Sequence, residues 1–279
     1  MDAPPKKKTA VWIRVVRSTA VIVLVPLIVL YAFQNRLLYF PDRTLPAPEG
    51  AGLRGVEEVT FASADGIRLV SWWLPPKSGQ PTLIFFQGNA GTIADRSDRA
   101  RDAQDNGWGM LLLGYRGYGR SDGSPDEPGL YRDSRAALAW VRARPEVDPK
   151  KLVYLGESLG CAVALELAVA EPPAALILEA PFASLKAIAG FHYPWLPTSL
   201  LLRSRFDNLA NARVLRCPLL VAHGRRDEVV PFAQGRAVFD AAPEPKRFFE
   251  CNSHHNDIPE TGSAEYRKLV RDFVEGHLK

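Results

Sequence analysis

The segment Gly156-Glu157-Ser158-Leu159-Gly160 has the pattern G-x-S-x-G, placed directly after the aliphatic run Leu152 to Leu155 and ahead of the helical stretch Leu159 to Ala170. A serine on a sharp strand-to-helix turn has its hydroxyl lifted above a sheet at a helix N-terminus, where developing negative charge is favoured. Small residues on both sides of it answer the crowding of the two backbones. This is nucleophile chemistry, and it needs a base held by a third group. The pattern occurs a second time in Gly119-Arg120-Ser121-Asp122-Gly123. There it runs into Ser124-Pro125-Asp126-Glu127-Pro128-Gly129, turn chemistry without a helix start. Ser158 is therefore the expected nucleophile.

Of five histidines, His223 ends a strand ahead of Gly224, where a structural hydrogen bond is the simpler role. His277 lies in the final turn of the chain and His192 in an aromatic-rich stretch. The adjacent pair His254 and His255, in a loop after Arg247 to Glu250, supplies the candidate base. An orienting carboxylate belongs at the carboxyl end of a strand between serine and histidine. Asp227 meets that requirement, directly after Leu219 to Ala222 in His223-Gly224-Arg225-Arg226-Asp227-Glu228-Val229-Val230-Pro231. Glu228 is the alternative acid, a surface salt bridge is the plainer reading of either, and Asp207 and Asp257 are less suitably placed. Serine, aspartate, histidine in that chain order is the arrangement of an α/β-hydrolase. An oxyanion pocket needs backbone N–H groups from two places. Gln87-Gly88-Asn89-Ala90-Gly91 follows the run Thr82 to Phe86, so the N–H groups of Asn89 and Leu159 are the expected donors.

The elements that must position these groups read as alternating strands and helices. Strands are expected at Val56 to Phe61, Ile67 to Leu74, Thr82 to Phe86, Met110 to Gly114, Leu152 to Leu155, Ala175 to Leu178, Leu219 to Ala222 and Arg247 to Glu250. The first two alternate and predict an antiparallel start; the later ones are nearly continuous apolar runs, as strands covered on both faces should be. Helices are expected at Arg132 to Arg144, Leu159 to Ala170, Phe232 to Ala241 and Ala264 to His277. The fold class is α/β, a mostly parallel eight-stranded sheet with helices on both faces. Residues 181–216 do not fit the alternation and are too long for a simple connection. They form either a small cap over the site or a surface excursion with its own packed aromatics.

Ser18 to Asn35 is 18 residues without a charge, flanked by Arg17 and Arg36. A bilayer core asks for roughly 17–25 apolar residues, and flanking arginines can snorkel. Pro26 is tolerated in a transmembrane helix, and Trp12, Tyr31 and Tyr39 stand near the ends. The run exceeds a usual signal-peptide core, and Leu30-Tyr31-Ala32 is a poor cleavage site. Residues 1–40 are thus expected to be a basic tail and transmembrane anchor, 41–55 a Pro/Gly-rich linker, and 56–279 the catalytic domain. Five basic residues precede the run and two follow closely, so the N-terminus is expected in the cytoplasm and the domain outside it.

At 279 residues, 47% apolar and 24% charged, the chain is an ordinary globular composition and not a disordered or fibrous one. The net charge of +4 is local to the N-terminus. Residues 1–43 hold seven basic and two acidic side chains, leaving 28 basic and 29 acidic in the body. No basic groove is supported, and no nucleic-acid partner is expected. Cys161, Cys217 and Cys251 make no metal-type or disulfide framework.

Taken together, the chain resembles the membrane-anchored α/β-hydrolases of the Bem46 type, related to the α/β-hydrolase domain-containing proteins 13 and 17. The resemblance runs from Gln34-Asn35-Arg36-Leu37-Leu38-Tyr39-Phe40-Pro41 through Gly88-Asn89-Ala90-Gly91, Tyr115-Arg116-Gly117-Tyr118-Gly119-Arg120-Ser121 and Gly156 to Gly160. It continues through His223-Gly224 to Pro231 and His255-Asn256-Asp257. In that family the catalytic histidine precedes Asn-Asp, so the resemblance selects His255; the preceding residue, usually glycine, is His254 here. Gln87 likewise stands where the family tends to have histidine. The resemblance implies hydrolysis of a carboxylic ester or thioester by Ser158, Asp227 and His255, with a small-molecule or lipid-like acyl substrate and no cofactor. A peptidase of the same fold and a non-catalytic membrane-tethered scaffold are the alternatives.

Overall fold

The apolar runs become one sheet because each strand can be covered on both faces. In the computed structural model, which describes residues 6–258 and 263–278, the chain order is α1 (Lys6–Leu38), β1 (Phe40–Pro41), β2 (Glu57–Ala62), β3 (Arg68–Leu74), β4 (Thr82–Phe86), β5 (Ala90–Gly91), α2 (Ser97–Asn106), β6 (Gly109–Leu113) and α3 (Glu127–Arg142). There follow β7 (Leu152–Glu157), α4 (Leu159–Ala170), β8 (Ala175–Glu179), α5 (Leu185–His192), α6 (Thr198–Leu201), α7 (Asn208–Arg213), β9 (Leu219–Gly224), α8 (Phe232–Ala241), β10 (Lys246–Cys251) and α9 (Ser263–Gly276).

Eight strands lie in the order β10-β9-β8-β7-β4-β6-β3-β2, and only β3 runs against the rest. Successive side chains of a strand point to opposite faces, and the core divides accordingly. Ile84, Phe86, Leu111, Leu113, Tyr154, Leu176 and Leu178 pack with α3, α4 and α8 on one face. Leu83, Phe85, Met110, Leu112, Val153, Leu155 and Ile177 pack with α2 and α9 on the other. The chain leaves β4 for β6 on one side and comes back to β7 on the other. The order of strands therefore reverses at β4 and β7, and a crevice opens beyond their carboxyl ends, the usual place for a ligand in such a sheet.

Four features depart from the sequence expectation. Helix α2, Ser97-Asp-Arg-Ala-Arg-Asp-Ala-Gln-Asp-Asn106, has no apolar periodicity; it buries only Arg99, Ala100 and Ala103. The expected linker 41–55 is packed on the domain, with Leu45 and Leu53 buried and β1 pairing in parallel with β5. Residues 181–216 contain three short helices, and their aromatics divide: Phe182 and Phe206 are buried and meet edge-to-face with ring centroids 6.4 Å apart, whereas Phe191, Tyr193 and Trp195 are all more than half exposed. Helix α1 continues beyond the expected span in both directions and is long and apolar enough over Arg14–Leu38 to cross a membrane. Among its described side chains, most of the large apolar ones from Val15 to Leu37 are exposed.

The approach of α4 to β4 leaves no room for a methyl group at Gly160. A Cβ there would lie 1.9 Å from the backbone oxygen of Phe86. Gly160→Ala is expected to destabilise the fold by about 1–3 kcal/mol or more through overpacking; a thermal melt matching the wild type would contradict this packing.

Candidate functional site

Each expected site residue comes from the carboxyl end of a strand. Ser158 follows β7, and its backbone, at φ 52° and ψ −113°, is the turn between β7 and α4. Its N–H donates to the Glu179 carbonyl at 2.9 Å. Gly156 is constrained in the same way, though less severely than Gly160, since a Cβ there would meet Cys161 Cα at 2.7 Å. The glycines of the motif are thus explained by close backbone approach.

The loop after β9 holds Asp227, whose Oδ1 accepts from the N–H groups of Val229 and Val230 at 2.9 and 2.7 Å. Its Oδ2 lies 2.7 Å from His255 Nδ1, and His255 Nε2 lies 2.9 Å from Ser158 Oγ. The structure therefore brings Ser158, His255 and Asp227 into one hydrogen-bonded series. Burial alone would raise the Asp227 carboxyl, but hydrogen bonds from His223 and His255 outweigh it and hold the group well below the usual carboxylate range. It is a charged acceptor that fixes Nδ1–H toward itself and leaves the Nε2 lone pair for the serine hydroxyl.

The alternatives left open by the sequence separate cleanly. Glu228 pairs with His254 Nδ1 at 2.9 Å on the exposed side of the loop. Ser121, the second G-x-S-x-G serine, is buried; it accepts from the Val70 N–H and donates to the Gly114 carbonyl, at 2.8 and 3.0 Å. It ties β3 to the end of β6. Buried His223 does more than hydrogen-bond its neighbourhood: its Nε2 is 3.0 Å from the Val230 carbonyl and 3.3 Å from Asp227 Oδ2. A second imidazole thus supports the acid, a role its strand-end position alone did not disclose.

The Gln87 to Gly91 turn follows β4 beside the serine. The N–H groups of Asn89 and Leu159 have no hydrogen-bond acceptor among the described residues. The rest of Asn89 is fixed: its carbonyl accepts from the Phe40 N–H at 2.9 Å and the Tyr118 hydroxyl at 2.7 Å, and its side-chain amide donates to the Leu38 carbonyl at 3.0 Å. The segment joining α1 to β1 therefore clamps the turn. The cleft beside it, about 540 Å³, is lined by Gly88, Asn89, Arg96, Ser158, Val229 and His255 among others.

Behind the serine lies a charge network that the sequence did not disclose. Arg99, buried, makes a bidentate pair with buried Glu179, one contact measuring 2.9 Å, and reaches Glu157 at 3.4 Å. Arg96 pairs with Glu157 at 2.8 Å, and the Tyr266 hydroxyl donates to Glu179 at 2.5 Å. Burial works against charge on Glu157, but Arg96 and Arg99 prevail and lower its carboxyl. The network joins α2 and α9 to the strand ends on either side of Ser158.

Comparison with known proteins agrees with this architecture. A family model described as alpha/beta hydrolase fold matches residues 81–200. The Arabidopsis thaliana alpha/beta hydrolase domain-containing protein WAV2 is 32% identical over 281 residues, covering 91% of each chain. The lysophosphatidylserine lipase ABHD12 of Danio rerio is 29% identical over 272 residues, 83% of this chain and 69% of that one. Among solved structures, the Pyrococcus furiosus esterase Pf2001 superposes with a TM-score of 0.71 at 18% identity, over 87% of this chain and 98% of that one.

Removing one partner of a buried ion pair strands the other charge. Arg99→Met is expected to cost about 3–5 kcal/mol, read from denaturant unfolding; a loss below about 1 kcal/mol would show that Glu179 is adequately held without the guanidinium.

Proposed function

Since this chain belongs to the α/β-hydrolase family, we propose that it is a serine hydrolase of the membrane-anchored Bem46 type, cleaving carboxylic esters or thioesters. The reading is carried by the series Asp227 Oδ2, His255 Nδ1, His255 Nε2 and Ser158 Oγ, with separations of 2.7 and 2.9 Å. His255 takes the hydroxyl proton as Ser158 Oγ attacks the acyl carbonyl. The tetrahedral oxyanion is held by the N–H groups of Asn89 and Leu159 at the N-terminus of α4. His255 then gives its proton to the departing alkoxide or thiolate, leaving an acyl-serine. Water enters, His255 removes its proton, and the acid product leaves as Ser158 is reprotonated. Asp227 keeps the tautomer and stabilises the imidazolium throughout.

Support for an ester-type substrate comes from the lipase and esterase named above. Support for anchoring comes from α1, whose 18 uncharged residues from Ser18 to Asn35 are flanked by arginines. The five basic residues before that run support a cytoplasmic N-terminus, with the cleft on the opposite side of the membrane.

Ser158→Ala or His255→Ala is expected to lower kcat roughly 10⁴-fold or more, with the double variant little worse than either. A fluorophosphonate probe should label the wild type and not Ser158→Ala; equal labelling of both, or none of the wild type, would overturn the assignment. A reporter active only in the cytoplasm, fused at the C-terminus, is expected to be silent; activity there would reverse the orientation.

A further inference from the structure

Large apolar side chains that stand exposed are not scattered over this molecule. Outside α1 and the adjoining Phe40, those among the described residues are Phe191, Tyr193, Trp195, Leu200, Val214 and Val229. Four of the six fall between residues 191 and 200, with Trp195 and Leu200 exposed by 75% and 82%. Residues 193–202, Tyr-Pro-Trp-Leu-Pro-Thr-Ser-Leu-Leu-Leu, carry no charge. A patch of this kind, contiguous in sequence and unpaid for by local packing, marks a contact surface.

The position of the patch identifies what it meets. The Gln34 side chain accepts from the Arg203 N–H at 2.8 Å and donates to the Leu201 carbonyl at 3.2 Å. The Arg203 guanidinium lies over the Tyr31 ring, 5.4 Å from its centroid. Gln34 and Tyr31 both belong to the uncharged run that ends before Arg36. At about 1.5 Å per helical residue they lie about 3 and 7–8 Å below Arg36 along α1. The interfacial layer into which amphipathic segments sink is about 5–10 Å deep. Whatever depth α1 sets for its last two turns, α6 shares it. On the other side the patch reaches the cleft, since His192 Nε2 hydrogen-bonds the Val229 carbonyl at 2.8 Å and Val229 lines the cleft beside Ser158 and His255.

We propose that residues 191–202 lie in the interface of the same bilayer that α1 spans, and that the protein draws its substrate from that bilayer as a lipid ester whose acyl chain passes over this patch to Ser158. Trp195 and Tyr193 are suited to the headgroup level, and Leu200 to the acyl boundary just beneath it. The inference rests on the anchoring and hydrolase readings, and it narrows the substrate from acyl esters in general to esters resident in a membrane.

Two measurements on the full-length protein in phosphatidylcholine vesicles test it. The first compares tryptophan quenching by lipid brominated near the carbonyl end of its chains in wild type and Trp195→Phe; the difference isolates Trp195, because Trp12 is common to both. Trp195 emission is expected to be quenched, and emission indifferent to brominated lipid would overturn the placement. The second follows hydrolysis by the variant Trp195→Asp, Leu200→Asp. With a long-chain ester held in the vesicles, turnover is expected to fall at least about tenfold, since two apolar side chains lose their burial. With a short-chain water-soluble ester it should stay within about twofold of wild type on the same scale. Equal loss on both substrates would show that the patch supports the domain and not lipid entry, and overturn the proposal. Failure of the wild type to cleave either ester would sink the hydrolase reading, while the quenching result would still judge the placement.

Discussion

Ser158 leaves β7 at φ 52° and ψ −113°, a conformation that costs a non-glycine residue on the order of 1–3 kcal/mol, and its surroundings are arranged to hold it there. The Glu179 carbonyl accepts its N–H, its own carbonyl accepts from Cys161, and the two flanking glycines allow β7, α4 and β4 to approach closely enough for the turn to close. The strain has a purpose that a relaxed turn does not serve. It points Oγ out of the sheet toward the imidazole, at the start of α4, where the Leu159 N–H has no acceptor among the described residues. Relaxing Ser158 into an ordinary helical or extended conformation would move the hydroxyl away from His255.

The buried charges behind the turn pose a second question of energy. Arg99, Glu179 and Glu157 each lose hydration, and apolar residues of similar volume are often equally stable in such places. What an ion pair offers here is direction. A bidentate guanidinium–carboxylate contact has one good geometry, and Glu179 is the residue whose carbonyl receives the Ser158 N–H. We regard the network as the device that fixes the end of β8, and through it the serine, against α2 and α9.

The chemistry-bearing residues were legible because their types are rare and their places in the sheet recur: a serine between glycines after one strand, an aspartate after another, histidines after the last. The parallel strands were legible because runs such as Leu83 to Phe86 or Ala175 to Leu178 must be apolar on both faces. What escaped reading follows from the same physics. Helix α2 buries two alanines and an arginine, so no hydrophobic period announces it, and a buried arginine looks like a surface one until Glu179 is placed beside it. Residues Phe40–Pro41 contain a proline and pair over only two positions, a contact set by tertiary structure alone. The support His223 gives Asp227 depends on a loop that returns on itself, a distance that spacing does not encode.

That two-residue pairing governs how the domain is carried. Phe40 N–H binds the Asn89 carbonyl and Asp42 N–H the Gly91 carbonyl, at 2.9 and 3.3 Å, so the polypeptide passes from α1 into the catalytic body with no slack between them. With α1 seated in a bilayer as proposed, the body has no swivel. Its heading is inherited from the inclination of the helix, and inclination answers to hydrocarbon thickness. A change of membrane thickness would therefore re-aim the mouth of the cleft as a lever does, where a tethered enzyme would merely drift.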